Sequence, residues 1–230
     1  MTYRGIFFDI GWTLMYPRKS WFLTDLFYEM VTPDKLALTD ISTALQTSMP
    51  VLTKHHRMDT LDQEEKQFRQ FYRTFLSNVP TLGLDNHAAD ILAHDKVYNN
   101  ENYIFFEDVL PILIELKGSY RLGIISDTWP SAINRLKHAG IYELFDSITF
   151  SYQLGIFRPD SRIYKQALYS MGLPAHQTIL VDDSPENLSG VADEGIFPIQ
   201  ICASPDSPTP NCFQYISAFK ELPSLLRRLS

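Results

Sequence analysis

Three hydrophobic runs in this chain end in polar, carboxylate-bearing segments. Ile6-Phe7-Phe8 delivers Asp9, itself followed by Ile10-Gly11-Trp12-Thr13-Leu14; Leu122 to Ile125 delivers Ser126-Asp127-Thr128; Ile179 to Val181 delivers Asp182-Asp183-Ser184. Asp is depleted inside strands and costly to bury unpaired. Taken singly, each has an ordinary reading: Asp9-x-Gly as a turn, Ser126 to Thr128 as a helix cap, Asp182-Asp183 as a turn before Pro185. Taken together they say more, because the strands of a parallel sheet all end on one edge, and that edge is where open α/β sheets bind ligands. Asp9, Ser126 and the Asp182/Asp183 pair are therefore expected to converge on one crevice.

Neighbouring carboxylates repel unless a cation compensates, and an oxygen-only cluster suits Mg²⁺, which takes one or two carboxylates plus waters and phosphate oxygens. A hydroxyl at Ser126 and backbone N–H groups at Ser126 and Asp127, facing a helix start, suit phosphate oxygens. Arg158, in Gly155-Ile156-Phe157-Arg158-Pro159-Asp160, is either a surface residue before a proline turn or a fixed cation balancing Asp9 and a transferring phosphoryl group.

The elements that would position these groups are legible in outline. From Asp108 onward helical and strand patterns alternate: helix Val109 to Leu116, strand Tyr120 to Ile125, helix Ser131 to Ala139, strand Ser147 to Tyr152, helix Arg162 to Met171, strand Thr178 to Val181, helix Asn187 to Asp193, strand Pro198 to Cys202. That alternation implies βαβ units and a parallel sheet, which the opening strand must join. Residues from Trp21 to Ala93 carry almost no strand signal. Leu61, Phe68, Phe71, Tyr72 and Phe75 approach helical period, Thr60 with Gln63 resembles a capping box, and Gly83 and Asn86 mark a break. The expected architecture is α/β: a Rossmann-like core of residues 1–16 and 96–230 with a helical cap inserted at 17–95. Ser204 to Asn211, with Pro205, Pro208 and Pro210, reads as a loop.

The 230 residues carry a net charge of −7 and are 45% hydrophobic, enough for a substantial core and opposed to nucleic-acid binding, which requires clustered Lys and Arg. Cys202 and Cys212 read as free thiols rather than metal ligands. With no leader and no apolar run of membrane length, the expectation is a cytoplasmic protein without membrane contact. Trp21, Phe22, Phe27 and Tyr28 in the insert read as core rather than substrate platform, and Arg18 and Lys19 are the anion clamps it offers.

The chain resembles the haloacid dehalogenase superfamily of hydrolases, in the branch with a helical cap after the first motif. The resemblance rests on Phe8-Asp9-Ile10-Gly11-Trp12-Thr13-Leu14, Ile124-Ile125-Ser126-Asp127-Thr128, Gly155 to Tyr164, and Ile179-Leu180-Val181-Asp182-Asp183-Ser184-Pro185-Glu186-Asn187, in that order. It implies a phosphatase of small phosphorylated metabolites, with Asp9 the nucleophile that forms an aspartyl-phosphate and Arg158 its catalytic cation. Thr13, Ser126 and Asp127 would bind substrate; Asp9, the Gly11 carbonyl, Asp182 and Asp183 would hold Mg²⁺; the cap would close over the substrate. Two positions depart from the pattern. The family's usual second Asp, an acid/base group worth about 10² to 10⁴-fold, is Gly11, and the usual Lys is Arg158. Tyr16, Asp25, His55 and His56 are substitute acid/base candidates. The competing readings are an enzyme suited to good leaving groups such as acyl phosphates, an impaired enzyme kept as a binding protein, and a 2-haloacid dehalogenase, against which Asp182-Asp183 counts.

Overall fold

The computed structural model describes residues 3–37, 39–204 and 212–229; beyond Ser204, the proline-rich loop expected at 204–211 lies outside the described residues. Contacts divide the chain into two compact units, Met1–Tyr16 with Phe105–Thr128 and Arg135–Ser230, and Pro17–Ile104 with Trp129–Asn134. The strands are β1 (Gly5–Phe8), β2 (Met15–Pro17), β3 (Tyr103–Phe105), β4 (Arg121–Ser126), β5 (Ser147–Phe150), β6 (Thr178–Asp182), β7 (Phe197–Ile201) and β8 (Gln214–Ile216). β2 and β3 pair where the chain leaves the first unit and returns to it. The other six form one sheet in the order β5-β4-β1-β6-β7-β8, parallel throughout.

β1 lies between β4 and β6, with Phe8 level with Ile124 and Val181. That register puts Asp9 level with Ile125 and Asp182, and Ser126 one residue beyond. The convergence expected from the three polar strand ends is therefore a property of the sheet. A central parallel strand is covered on both faces and reads as a continuous apolar run. Ile6, Phe7 and Phe8 are accordingly fully buried. Phe7 packs into a cluster with Ile163, Met171, Leu180 and Leu188, while Phe8 meets Phe145 and Phe219. Each of the two rings stabilises the sheet by roughly 1.5–3 kcal/mol.

Helices Ser161–Met171 and Pro185–Asp193 supply much of the Phe7 cluster. A Cβ added at Gly190 would meet Pro159 Cβ at 2.8 Å, so the absent side chain lets the second of these helices lie against the segment carrying Arg158. The strands β2, β3 and β8 and the C-terminal helix Leu222–Leu229 have no counterpart in the sequence reading. The strand expected to run to Tyr152 ends at Phe150, where Ser151–Leu154 turns into a short helix.

The second unit is helical. Its longest described helix, Leu61–Ser77, starts with the Thr60/Gln63 capping box and buries Phe68, Phe71, Tyr72 and Phe75. Gly83, at φ 71°, ends the next turn, and Asp85 caps helix Asn86–Tyr98. The boundary drawn from sequence after residue 95 falls inside that helix, and the unit continues to Ile104. Trp129–Asn134 belongs to this unit because Trp129 packs on Phe68 and donates to Gln67 Oε1 at 2.8 Å. Ser131 donates through N and Oγ to the fully buried carboxylate of Glu64, at 2.7 and 2.5 Å. Phe27 is fully buried and Phe22 packs against the same core, as the core reading of these aromatics expects, but Tyr28 is 36% exposed, against that reading.

Candidate functional site

Asp9 leaves β1 with its N–H donated to Val181 O at 3.0 Å and with its residue almost wholly buried. The chain then folds tightly back: Leu14 N and Met15 N donate to Ile10 O at 2.9 and 3.0 Å, and Trp12 N donates to Met15 O at 2.7 Å. Trp12 adopts a left-handed backbone, φ 54°, a conformation uncommon for a bulky residue. Its ring stacks on Tyr16 with centroids 5.8 Å apart and planes 9° from parallel. Gly11 bridges to Met15 in the same turn. Thr13 is fully buried and its Oγ1 has no hydrogen-bond partner, a polar atom available to a ligand.

Arg158 sits at the centre of the sheet edge. Nη2 donates to Asp9 Oδ1 at 2.7 Å, Nη1 to Asp182 Oδ2 at 2.5 Å and to Ile125 O at 3.2 Å, and Nε to Asp127 Oδ2 at 3.2 Å; its backbone N–H reaches Asp127 Oδ1 at 3.1 Å. The side chain is 5% exposed. Burial alone would lower its pKa, but Asp9, Asp182 and Asp127 together hold it above the usual arginine range. The surface reading of Arg158 therefore does not hold. The Asp127 carboxylate is committed to Arg158, which leaves for a substrate the backbone N–H that the sequence reading assigns to phosphate oxygens. Burial still raises the Asp127 pKa, because it outweighs the share of Arg158's single charge that Asp127 receives. Ser126 is buried at the end of β4, and Thr128 N is fixed by Ser151 Oγ at 2.9 Å.

Asp182, fully buried, accepts from Ser184 N at 2.8 Å and from Asn187 Nδ2 at 3.3 and 3.2 Å, besides Arg158. Asn187 closes the last motif of the sequence reading, which gives it no role at the site. Its only signal was its place three residues after Ser184, whose Oγ accepts from Asn187 N at 3.4 Å. Asp183 is different: among the described residues no cation forms an ion pair with it. Burial, then Asp9 and Asp182, push its pKa up to about 8. Ligand oxygens of Asp9, Asp182 and Asp183 all lie within 4.8 Å of one another. With all groups ionised, Asp9, Asp127, Asp182 and Asp183 face one guanidinium, an excess of three negative charges. A divalent cation relieves that excess, and an all-oxygen donor set suits a hard ion. The residues present thus fit a metal, with Asp183 the carboxylate most in need of one.

The substitute acid/base candidates fare unequally. Tyr16 lies between Trp12 and Phe106. Asp25 pairs with Arg18 at 3.5 Å, His55 is exposed, and His56 is buried edge-on against Trp129, its pKa lowered to about 4 by burial, which makes it a neutral imidazole near pH 7. Neither Cys202 nor Cys212 is in a disulfide, and no helix among the described residues is long and apolar enough to cross a membrane.

A family model described as haloacid dehalogenase-like hydrolase matches residues 3–195. The glyceraldehyde 3-phosphate phosphatase of Methanothermobacter thermautotrophicus is 30% identical over 103 residues, covering 42% of this chain and 44% of that protein. The chain spans under half the length of the first curated relatives it matches. Among solved structures, a 2-haloacid dehalogenase from Pseudomonas syringae superposes with TM-score 0.69 at 19% identity, over 100% of both chains. The HAD-hydrolase YfnB from Bacillus subtilis, bound to magnesium, superposes with TM-score 0.70 at 16% identity, over 98% of this chain and 99% of that one. These two similarities establish the shared fold.

Proposed function

Because the chain belongs to the haloacid dehalogenase-like hydrolases, we propose that it is a Mg²⁺-dependent phosphatase of a small phosphorylated metabolite, working through a phosphorylated Asp9. The observation that carries this reading is the cluster of Asp9, Asp182 and Asp183, in which Asp183 has no cation partner among the described residues. Relatives named as a phosphatase and as a GMP/IMP nucleotidase support the substrate class. The ion would be held by Asp9, Asp183 and the Gly11 carbonyl, with Asp182 orienting the group through Arg158 and Asn187. When bound, it would offset the repulsion between the Asp9 carboxylate and an anionic phosphoryl group.

The chain's own residues divide the remaining work. Arg158 holds Asp9 Oδ1 and leaves Oδ2 to attack phosphorus. Thr13 Oγ1, Ser126 and the Asp127 N–H offer donors for phosphoryl oxygens. Attack forms the Asp9–phosphate bond and breaks the bond from phosphorus to the leaving oxygen; water then cleaves the acyl phosphate, giving inorganic phosphate and free Asp9. Gly11 cannot protonate the leaving oxygen, so the best substrates are those whose leaving group needs no proton, acyl phosphates and activated aryl phosphates foremost.

Gly11 also favours a second reading, carbon–halogen hydrolysis, since dehalogenases of the family lack that acid as well. Rates on acetyl phosphate, an aryl phosphate and a 2-haloacid, each with Mg²⁺ or EDTA, decide between the two. Phosphate release that requires Mg²⁺ supports the proposal. Halide release indifferent to EDTA replaces it with the second reading.

A further inference from the structure

Besides the carboxylate cluster, the helical unit contains a cavity of about 610 Å³ with the opposite charge. Its walls carry Arg57, Lys66, Arg69, Arg73 and His55, and no carboxylate among the described lining residues. In a chain of net charge −7, four permanent cations around one cavity require a reason, because like charges gathered in a concave site repel one another.

Three of them follow from helix geometry. Lys66, Arg69 and Arg73 lie three and four residues apart on helix Leu61–Ser77, and such spacing puts them on one face. Gln63 and Gln70, also lining the cavity, continue that face. Arg57 approaches from the loop before the helix. Two of the four are pinned in place: Arg69 by Glu65 at 3.2 Å, and Arg73 by Asp90 at 2.9 Å. The pinning uses only part of each guanidinium. Nε of Arg73 is buried with no hydrogen-bond partner, and Nε of Arg69 lies 3.3 Å from Asp90 Oδ1 without hydrogen-bond geometry. Arg57 and Lys66 have no ion-pair partner among the described residues. The wall thus offers two uncompensated charges and two guanidiniums whose side chains are 38% and 40% exposed, in a volume typical of small-molecule sites.

We propose that this cavity is a second ligand site, for a small polyanion bearing two or more phosphate or carboxylate groups. Arg69 and Arg73, held by their acidic partners, present fixed planar donors suited to such groups. Lys66 and Arg57 supply charge at the mouth, and Gln63 Nε2 and the Gln70 amide can bond to hydroxyls between the anionic groups. The site does not depend on the chemistry proposed for Asp9.

The test is titration calorimetry of the full chain, stripped of metal on a chelating resin, at low ionic strength and without soluble chelator, with pyrophosphate in one arm and citrate in the other. Stripping the metal removes metal-assisted binding at the Asp9 cluster, and the two arms distinguish phosphate from carboxylate ligands. The expected result is binding of at least one probe, weakened roughly tenfold or more in Arg57→Gln/Lys66→Gln and by added salt. Lys220→Gln, an exposed lysine of the other unit, leaves it unchanged. The double variant hydrolyses the test phosphate at the wild-type rate, which separates this proposal from the phosphatase reading. Absence of binding to either probe, binding that the double variant leaves intact, or a matching loss of hydrolysis in that variant each overturns the proposal.

Discussion

Arg158 Nη2 donates to Asp9 Oδ1 at 2.7 Å, joining two residues 149 positions apart, while the same guanidinium also holds Asp182 and Asp127. One buried cation organises two buried carboxylates, Asp9 and Asp182, and the partly exposed Asp127. Removing it leaves them uncompensated, and breaking a buried pair in this way costs about 3–5 kcal/mol. Arg158→Met is expected to lose about that much in urea unfolding. Arg158→Lys keeps the charge but has one nitrogen for partners that the guanidinium serves with three, so it should fold and turn over more slowly than wild type.

Asp183 is expected to control metal binding. Its folded pKa of about 8 lies above the unfolded value near 3.9. The stability it contributes in metal-free protein is therefore present below about pH 4 and lost as pH rises through about 8. In EDTA at pH 8, Asp183→Asn should unfold at a higher temperature than wild type. Mg²⁺ at a hundredfold excess over its Kd should add about 2.7 kcal/mol to wild type and little to the variant. Equal Mg²⁺ stabilisation of both proteins would remove Asp183 from the metal site.

Gly11 occupies the position where the family pattern has its acid. Gly11→Asp is expected to raise kcat on an alkyl phosphate by about 10²-fold, with a much smaller gain on acetyl phosphate, whose leaving group needs no proton. A uniform change across leaving groups would show that protonation is not what the wild type lacks.

His56 gives a separate pH signature. Its folded pKa of about 4 lies below the unfolded value near 6.5, so the folded state binds fewer protons between the two. The associated stability is present above pH 6.5 and lost as pH falls toward 4, a change on the order of 1–3 kcal/mol. The stability difference between wild type and His56→Phe, measured at pH 7 and pH 4.5, should shift by that amount in favour of the variant at the lower pH.

Much of this architecture is written locally in the sequence. Apolar runs ending in Asp9, Ser126 and Asp182 predict strands and place their ends together, because parallel pairing allows no other edge. The Thr60/Gln63 box and the Phe68 to Phe75 spacing likewise depend on neighbours in the chain. What escaped the sequence depends on partners far away. Nothing near Asp127 says that its carboxylate turns to Arg158, and nothing near Ser131 says that it meets Glu64, 67 positions away, drawing Trp129–Asn134 into the helical unit. β8 is three residues long with two exposed, too little for a strand pattern. The C-terminal helix did carry a signal, Leu222, Leu225, Leu226 and Leu229 at helical spacing.

Single-turnover hydrolysis of acetyl phosphate by wild type and Asp9→Asn, with saturating Mg²⁺, tests the central claim most directly. The amide is nearly the size of the carboxylate and leaves the sheet register intact, but it is no nucleophile. Phosphate release by wild type, loss of at least about 10³-fold in the variant, and phosphate trapped on Asp9 upon acid quench are the results expected. Comparable rates in the two proteins, or turnover without phosphate on Asp9, would contradict the assignment of Asp9 as the nucleophile.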